Sequence, residues 1–328
     1  MVMKVGIIGC GVIGKRRASV IQKLANSKII AVADTDPKKA KSLGSELNCK
    51  YFTNWKKVIL DANIDAVIVC TTNNYLAKIS LAAMKQNKHV FCEKPLGISV
   101  NEVEKVVKES KKRKLIFKTG FTLRFHPSLQ KAKTIVDQGK IGKILFIRGR
   151  YGITGRSGYE KEWRANKKIS GGGELIDQGA HLIDLSRWFL GDFSQVIGQF
   201  GNVFWKANVE DNAFLLLKTK KNQIASLHVS WTEWRNLFSF EIYGSKGFVI
   251  CEGLGGIYGK ERLILGKKAP SKKWPPAERV FEYDDSLTAW NNEWKDFVNS
   301  VKFHSEPCGS GHDGLESLKI VFSVYNQK

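Results

Sequence analysis

The chain has 328 residues, more than one ordinary hydrophobic core accommodates, which is typical of two domains. It is 43% hydrophobic and 11% aromatic, which excludes a disordered protein, and no run approaches the roughly 18 consecutive apolar residues of a membrane span. The 53 basic and 31 acidic residues give a net charge of +22, but no basic tail or arginine-rich arm is present, so we expect no nucleic acid and no membrane partner.

The cysteines are scattered and show no C-x-x-C spacing. They are Cys10, Cys49, Cys70, Cys92, Cys251 and Cys308. Three of them end apolar runs, as small buried hydrophobic residues do. The apolar stretch before Cys10 is too short for the hydrophobic region of a signal peptide. This pattern predicts free thiols and a cytoplasmic protein.

The first motif is a glycine-rich turn between a predicted strand at residues 4–8 and a helical pattern. It consists of Gly9, Cys10, Gly11, Val12, Ile13 and Gly14. This G-x-G-x-x-G spacing is typical of dinucleotide binding, where the helix N-terminus meets the pyrophosphate. A second predicted strand, residues 29–33, ends in Asp34, about 20 residues after the last glycine, where an acid binds the adenosine ribose. The motif predicts NAD binding, and NADP is less favoured because Asp34 would repel its 2′-phosphate.

Strands and helices continue to alternate through residue 120. Strands are predicted at residues 65–70 and 89–92, with a helix at 75–86 between them. This alternation predicts an α/β, doubly wound parallel sheet, whose ligands bind beyond the carboxyl ends of the strands. Polar residues follow both strands at such ends, namely Thr71, Thr72 and Asn73, then Glu93 and Lys94. We predict that both groups contact the cofactor.

A second segment of interest begins with Gly171, Gly172 and Gly173 and continues as a helical pattern. Apolar residues at helical spacing predict one buried face. A second stripe contains Asp177, His181, Asp184 and Trp188. Carboxylates and an imidazole on an apolar helix are costly to bury without partners or a task. The residues alone allow either a structural Asp–His pair or a catalytic one. A metal ion would lack an evident fourth ligand, and we expect no metal.

These motifs, in this order, resemble the glucose–fructose oxidoreductase and inositol dehydrogenase family (Gfo/Idh/MocA). The resemblance covers essentially the whole chain and includes residues 9–14, 31–37, 93–96, 124–127 and 171–181. It implies an N-terminal Rossmann domain, residues 1–120, and a C-terminal α+β domain, residues 121–328, with a large, mostly antiparallel sheet. It also implies a last helix at 313–326 that can pack back towards the first domain, a catalytic Lys94 near the nicotinamide, an often cis Lys94–Pro95 bond, and a homodimer or homotetramer. One departure is Leu76, where the family commonly has a histidine.

The second half of the chain changes pattern. A helix at 128–138 and a strand at 143–150 precede a loop at 151–164, and further strands are predicted at 196–205, 213–219, 223–231, 238–243 and 247–251. Short consecutive strands predict an antiparallel sheet. Trp231, Trp234, Phe238 and Phe240 are expected in the core. Composition predicts a solvated loop at 267–276.

Oxidation of a secondary alcohol requires loss of a hydride and of the hydroxyl proton. His181 is the natural base, Asp177 orients it or holds a substrate hydroxyl, and Lys94 polarises the reacting oxygen. Lys94 as the base is the alternative. Predicted substrate-binding residues are Lys94, Arg124, Tyr151, Arg156, Trp163, Arg164, Asp177 and His181. They suit a sugar, a polyol, or a nucleotide-linked or acidic sugar. An NAD-dependent glycoside hydrolase that acts by transient oxidation and a non-catalytic dinucleotide-binding regulator stay open.

Overall fold

A computed structural model describes residues 2–268, 277–284 and 287–327. The chain divides into two compact units. The first comprises Met1–Phe121, Lys168–Gly171 and Trp290–Glu316, and the second comprises Thr122–Lys167, Gly172–Ala289 and Ser317–Lys328. The segments 168–171 and 290–316 therefore belong with the first unit, whereas a single division near residue 120 assigns them to the second. Within the described ranges, no helix is both long and apolar enough to cross a membrane.

The described residues contain fourteen strands. In chain order they are β1 Met3–Ile8, β2 Ser27–Ala33, β3 Lys50–Phe52, β4 Ala66–Val69, β5 His89–Cys92, β6 Phe117–Thr119, β7 Ile144–Gly152, β8 Phe193–Gly201, β9 Asn212–Thr219, β10 Ile224–Ser230, β11 Leu237–Gly244, β12 Gly247–Glu252, β13 Glu261–Lys267 and β14 Glu278–Tyr283. The ranges predicted from the sequence correspond to all of these except β3, β6, β13 and β14. Composition predicts a loop at residues 267–276. Residues 269–276 of this range lie outside the described residues.

The α-helices of the described residues follow the same order. They are α1 Val12–Gln22, α2 Pro37–Glu46, α3 Lys56–Ile59, α4 Asn73–Lys85, α5 Val100–Arg113, α6 Pro127–Asp137, α7 Lys167–Ser170, α8 Ala180–Leu190, α9 Thr288–Phe303 and α10 Gly311–Tyr325. A π-helical turn, Leu175–Gly179, leads directly into α8, and short 3-10 helices occupy Thr122–Phe125, Tyr159–Lys161, Trp163–Ala165 and Gly256–Tyr258.

The first unit is built on a parallel sheet with the order β3-β2-β1-β4-β5-β6. This is the doubly wound order, which confirms the predicted Rossmann fold. Strand β4 is completely buried, as its unbroken run of apolar residues indicates. Helix α9 belongs to the same core, because the rings of Trp294 and Phe297 lie 6.1 and 5.6 Å from the ring of Phe91. The carboxyl ends of β1, β2, β4 and β5 therefore lie at one edge of this sheet.

The second unit is built on an eight-stranded sheet with the order β14-β13-β12-β11-β7-β10-β9-β8. Only β7 and β10 pair in parallel, so the prediction of a mostly antiparallel sheet is confirmed. One face is buried and includes Trp231, Phe238 and Phe240, as expected. Trp234 is 59% exposed, so its assignment to the core is wrong. It lies between β10 and β11, outside both strands, with a positive φ of 54°.

Candidate active site

The glycine turn of the first unit has the backbone geometry of a pyrophosphate cradle. Gly9 has a φ of +101°, and a Cβ there would lie 2.4 Å from the carbonyl oxygen of Cys70. A Cβ on Gly14 would lie 1.9 Å from the Gly9 oxygen, so only glycine lets α1 pack this closely. Gly11 has open space where its Cβ would be, which leaves room for a ligand at the start of α1. The three glycines thus perform the three roles of a dinucleotide-binding turn.

Asp34 connects the end of β2 to this turn. Its carboxylate accepts hydrogen bonds from the backbone N–H of Cys10 at 2.7 Å and of Asp36 at 2.9 Å. Each bond uses a different carboxylate oxygen, so each oxygen keeps a lone pair for a further donor. The carboxylate is therefore fixed beside the glycine turn with acceptor capacity for the hydroxyls of an adenosine ribose. These residues fit a dinucleotide.

The second group at this sheet edge follows β4. Thr71 and Thr72 are half-buried, and the Thr72 hydroxyl donates to the Asn74 side chain at 2.8 Å. Asn73 is buried, and its side-chain amide donates to the carbonyl oxygen of Ser170 at 2.8 Å. Asn73 thus anchors the segment that precedes the glycines of residues 171–173, a partner that the sequence did not reveal. Leu76 is completely buried, consistent with its apolar character.

Lys94 follows β5 in a turn whose preceding residue is held by buried charges. The Lys94–Pro95 bond is cis, as the family resemblance implies. Glu93 Oε1 lies 2.7 Å from the guanidinium of Arg17, and that guanidinium also lies 2.5 Å from Glu293. Burial raises the pKa of Glu93, although Arg17 opposes this effect. The Glu93 side chain therefore positions the turn through Arg17, and we do not retain it as a direct cofactor ligand.

Gly172 and Gly173 in the second unit lie too close to neighbouring groups to carry a side chain. A Cβ on Gly172 would lie 2.0 Å from the hydroxyl of Tyr325, and one on Gly173 would lie 1.9 Å from the carbonyl oxygen of Glu210. Glu210 Oε1 accepts hydrogen bonds from the N–H of Gly173 at 2.9 Å, the N–H of Leu175 at 3.2 Å and the Tyr325 hydroxyl at 2.5 Å. Glu210 and Tyr325 therefore hold the start of the Asp177–His181 segment, and sequence analysis missed both residues.

Asp177 lies in the π-helical turn and His181 lies in the first turn of α8. A π-helical turn in a longer helix often marks a functional position. Asp177 Oδ2 lies 3.3 Å from Arg164 Nε, and the Arg164 guanidinium stacks 4.5 Å from the ring centre of Trp163. Burial lowers the pKa of Arg164, but the charges of Asp177, Tyr159 and Glu162 together outweigh burial, so the pKa lies above its ordinary value. Arg164 is therefore cationic and orients the Asp177 carboxylate.

Tyr151 lies beside His181, and Tyr258 lies beside Tyr151. The ring of Tyr151 lies 6.0 Å from the ring of His181 and 5.4 Å from that of Tyr258. The side-chain amide of Gln178 lies 3.5 Å from the Tyr258 hydroxyl. Burial raises the pKa of Tyr258 to about 12 and places that of Tyr151 well above its ordinary value. Both hydroxyls are therefore protonated at neutral pH and can donate hydrogen bonds. Gln178 and Tyr258 were not predicted.

Two predicted substrate ligands have other partners. Arg124 is 4% exposed, and its guanidinium donates to both carboxylate oxygens of Asp184 at 2.8 and 2.6 Å. This buried bidentate pair gives Arg124 a structural role, and we withdraw it as a substrate ligand. It also places the Asp184 carboxylate in an ion pair. Arg156 is exposed and lies 2.6 Å from Glu162. Apart from the position of Arg156 beside Tyr159, the geometry therefore gives no support to Arg156 as a substrate-binding residue.

Two consecutive parts of the chain match models of one family. Residues 3–121 match the oxidoreductase family with an NAD-binding Rossmann fold, and residues 129–250 match the GFO/IDH/MocA C-terminal domain. The chain is 31% identical over 327 residues to the uncharacterized oxidoreductase YrbE of Bacillus subtilis, covering 96% of this chain and 91% of that protein. It is 28% identical over 337 residues to myo-inositol 2-dehydrogenase of Thermotoga maritima, covering 98% and 95%.

Solved structures share the fold over nearly the whole chain. Levoglucosan dehydrogenase in complex with NADH and L-sorbose has a TM-score of 0.88 at 22% identity, covering 98% of this chain and 96% of that one. The WlbA dehydrogenase of Bordetella pertussis in complex with NADH and UDP-GlcNAcA has a TM-score of 0.83 at 20% identity, covering 99% and 96%. The family matches and the relative in Bacillus subtilis together show that the chain belongs to the Gfo/Idh/MocA family of NAD-binding oxidoreductases.

Proposed function

We propose that this oxidoreductase transfers a hydride between the nicotinamide and a secondary alcohol of a sugar or polyol. The observation that carries the proposal is the grouping of Asp177 and His181 with the protonated hydroxyls of Tyr151 and Tyr258 in the second unit. Such groups bind the vicinal hydroxyls of a polyol and accept a proton from one of them. The inositol dehydrogenases of Thermotoga maritima and Rhizobium meliloti among the relatives support this substrate class.

The proposed roles divide among three residues. NAD, when bound, supplies the hydride acceptor. His181 takes the hydroxyl proton, since an imidazole changes charge near neutral pH. Asp177, held by Arg164, orients the imidazole or a neighbouring substrate hydroxyl. Lys94 donates a hydrogen bond to the reacting oxygen and stabilises the negative charge that develops there. The alternative is that Lys94 is the base. The pH dependence of kcat in the single variants of Lys94 and His181 distinguishes the two assignments.

We propose NAD(H) as the preferred form of the cofactor. The Asp34 carboxylate lies at the end of β2, fixed by the N–H groups of Cys10 and Asp36. A 2′-phosphate beside this carboxylate would place like charges together, whereas a ribose hydroxyl would donate to it.

We further propose a symmetric homo-oligomer that uses the open face of the second sheet. Large apolar side chains lie exposed on neighbouring strands there: Ile197 is 60%, Phe214 53%, Leu216 51% and Ile224 42% exposed. Leu216 pairs across the strands with Ile197, so the exposed apolar residues are contiguous. A second copy of the chain covers such a face by presenting the same residues.

We also propose that the protein is located in the cytoplasm, a reducing compartment. All six cysteines are free, and Cys10, Cys92 and Cys251 are buried where burial raises the pKa of their thiols. Such thiols behave as small apolar side chains.

The function is tested by incubation with NAD⁺ and a panel of sugars, polyols and glycosides, followed by absorbance of NADH and by product analysis. We expect one NADH for each substrate oxidised. Glycoside cleavage without net NADH would indicate the hydrolase that acts by transient oxidation. NAD binding with neither reaction across the panel would indicate the regulatory alternative.

A further inference from the structure

Three aromatic side chains form a cluster at the surface of the second unit, which we call the aromatic platform: Phe204, Trp205 and Trp234. The ring centre of Phe204 lies 5.2 Å from that of Trp205 and 4.8 Å from that of Trp234. Phe204 and Trp234 are each 59% exposed. Charged residues neighbour the platform in the chain, namely Lys206, Glu233 and Arg235. An exposed apolar cluster with a polar rim is typical of a binding site.

The loop that carries two of these rings is held by one buried carboxylate. Asp211 accepts hydrogen bonds from three consecutive backbone N–H groups, those of Val203 at 2.8 Å, Phe204 at 2.8 Å and Trp205 at 2.9 Å. The indole N–H of Trp205 also donates to the carbonyl oxygen of Trp231 at 3.0 Å. The loop is therefore fixed before a ligand arrives, which lowers the entropic cost of binding.

The third ring, that of Trp234, is held in a backbone conformation that its size disfavours. Its φ of +54° lies in the left-handed region, where a large side chain is rare. Strained backbone of this kind concentrates at functional positions such as ligand clamps. Because the ring is also largely exposed, it gains only part of the stabilisation that burial would give it. Strain and exposure together favour a role in ligand binding over a role in packing.

The platform lies on the side of the second sheet from which the loop towards Asp177 emerges. Strands β7 and β10 run parallel, so the segments that follow them leave the sheet at the same edge. The first segment contains Tyr159, and the second contains Trp234. The ring of Tyr159 lies 6.3 Å from that of Trp205. Burial raises the pKa of Tyr159 and the charge of Asp177 raises it further, so Tyr159 also lies within electrostatic range of Asp177. Tyr159 thus connects the platform with the Asp177–His181 segment.

We propose that the aromatic platform binds a second sugar ring, so that the enzyme acts on disaccharides or other glycosides of the sugar or polyol that it oxidises. The proposal rests on the proposed dehydrogenase function and names its substrate class. A pyranose ring presents C–H groups on its faces and hydroxyls around its edge. Packing the C–H groups on aromatic rings removes apolar surface from water, and the hydroxyls meet the charged rim. The second ring anchors the substrate and is unchanged by the reaction.

The kinetic test compares a single ring with larger substrates that contain it: D-glucose with cellobiose and maltose, D-galactose with melibiose, and myo-inositol with galactinol. We expect kcat/KM for at least one two-ring substrate to exceed that for its single ring by about fivefold or more. If no two-ring substrate exceeds its single ring, the inference is overturned and the dehydrogenase stands. No NADH from any sugar or polyol contradicts the dehydrogenase instead.

A binding measurement keeps the inference testable without turnover. Each member of a pair is titrated calorimetrically into the NADH complex of the wild type, and the two dissociation constants are compared. We expect the two-ring member of at least one pair to bind about fivefold more tightly or better, because it contacts the platform as well. Equal or weaker binding of every two-ring member overturns the inference.

The combined variant Phe204→Ser and Trp234→Ser removes both exposed rings of the platform. We expect the ratio of the two dissociation constants, and the ratio of the two kcat/KM values, to fall to near one. Phe303→Ser is the matched control, because Phe303 is also largely exposed but lies at the end of α9 in the first unit, and it should leave both ratios unchanged. Unchanged ratios in the combined variant overturn the inference. If light scattering then shows a smaller species, the platform is a contact between copies of the chain instead.

Discussion

Arg17 is the residue whose removal tests most directly how the Lys94 turn is held. Its side chain is 2% exposed and lies 2.7 Å from Glu93 and 2.5 Å from Glu293. Its guanidinium also stacks at 4.3 Å from the ring centres of Phe91 and Trp290. Arg17→Met preserves much of the aliphatic volume and removes the cation that both carboxylates contact.

The cost of this change follows from the uncompensated charge. Removing one partner from a buried ion pair destabilises a protein by about 3–5 kcal/mol. Burial already raises the pKa of Glu93 in the native protein, and Arg17 is the main group that opposes this effect. In Arg17→Met the native pKa of Glu93 must therefore rise further above its value in the unfolded chain. A raised native pKa favours the protonated native state, so the loss of stability is largest at alkaline pH and decreases as the pH falls.

The assay is urea unfolding followed by circular dichroism at pH 8 and at pH 5.5, with kcat measured on the same preparations. Arg16→Met is the matched control, because Arg16 is exposed and its guanidinium lies 5.2 Å from the ring centre of Trp290. We expect Arg17→Met to lose stability at pH 8, to recover part of it at pH 5.5 and to lower kcat, and Arg16→Met to resemble the wild type. Equal stability of the two variants, or a larger loss for Arg17→Met at pH 5.5, would refute the reasoning.

Three further predictions concern the cofactor, the chemistry and the assembly. Calorimetric titration should show that NAD(H) binds at least about tenfold more tightly than NADP(H). Asp34→Ala should reduce this difference in affinity. Equal affinities in the wild type would contradict the role of Asp34. Lys94→Ala and His181→Ala should each lower kcat by roughly two to four orders of magnitude, with NAD affinity changed only a few-fold. A lower melting temperature with normal turnover in His181→Ala would instead indicate a structural residue. Light scattering at micromolar protein should give an oligomer and Leu216→Arg a smaller species, since a charge on the apolar face disfavours association; a wild-type monomer would exclude this assembly.

The sequence alone predicted the fold of the first unit and much of the second sheet. The signals were local: a strand, a glycine turn and a helix in direct succession, an acid at the end of the next strand, and a change to consecutive strands after residue 143. The three glycine roles at Gly9, Gly11 and Gly14 depend on backbone geometry over six residues, so they too could be read from spacing. Strands β13 and β14 and helix α9 were missed by the same local analysis.

The tertiary structure decided which charged groups face one another. Arg17 and Glu293 are 276 residues apart in the chain, Glu210 and Tyr325 are 115 apart, and Arg124 and Asp184 are 60 apart. No periodicity connects such positions, because ion pairs and hydrogen bonds form between elements that only the folded chain brings together. For this reason the sequence identified Arg124 as a polar candidate but not as the partner of a buried carboxylate.

The segment that contains the π-helical turn also combines features predicted from the sequence with features that depend on tertiary contacts. The spacing of Asp177, His181 and Asp184 predicted one helical stripe, which assumes 3.6 residues in every turn. Asp177, in the wider turn at Leu175–Gly179, instead pairs with Arg164. Asp184, in α8, pairs with Arg124. The sequence by itself identified Asp177 and His181 as candidates for the chemistry, since residue type and spacing are local properties. Only tertiary contacts decided how the start of this segment is held, by Glu210 and Tyr325, and which arginine each of its carboxylates meets.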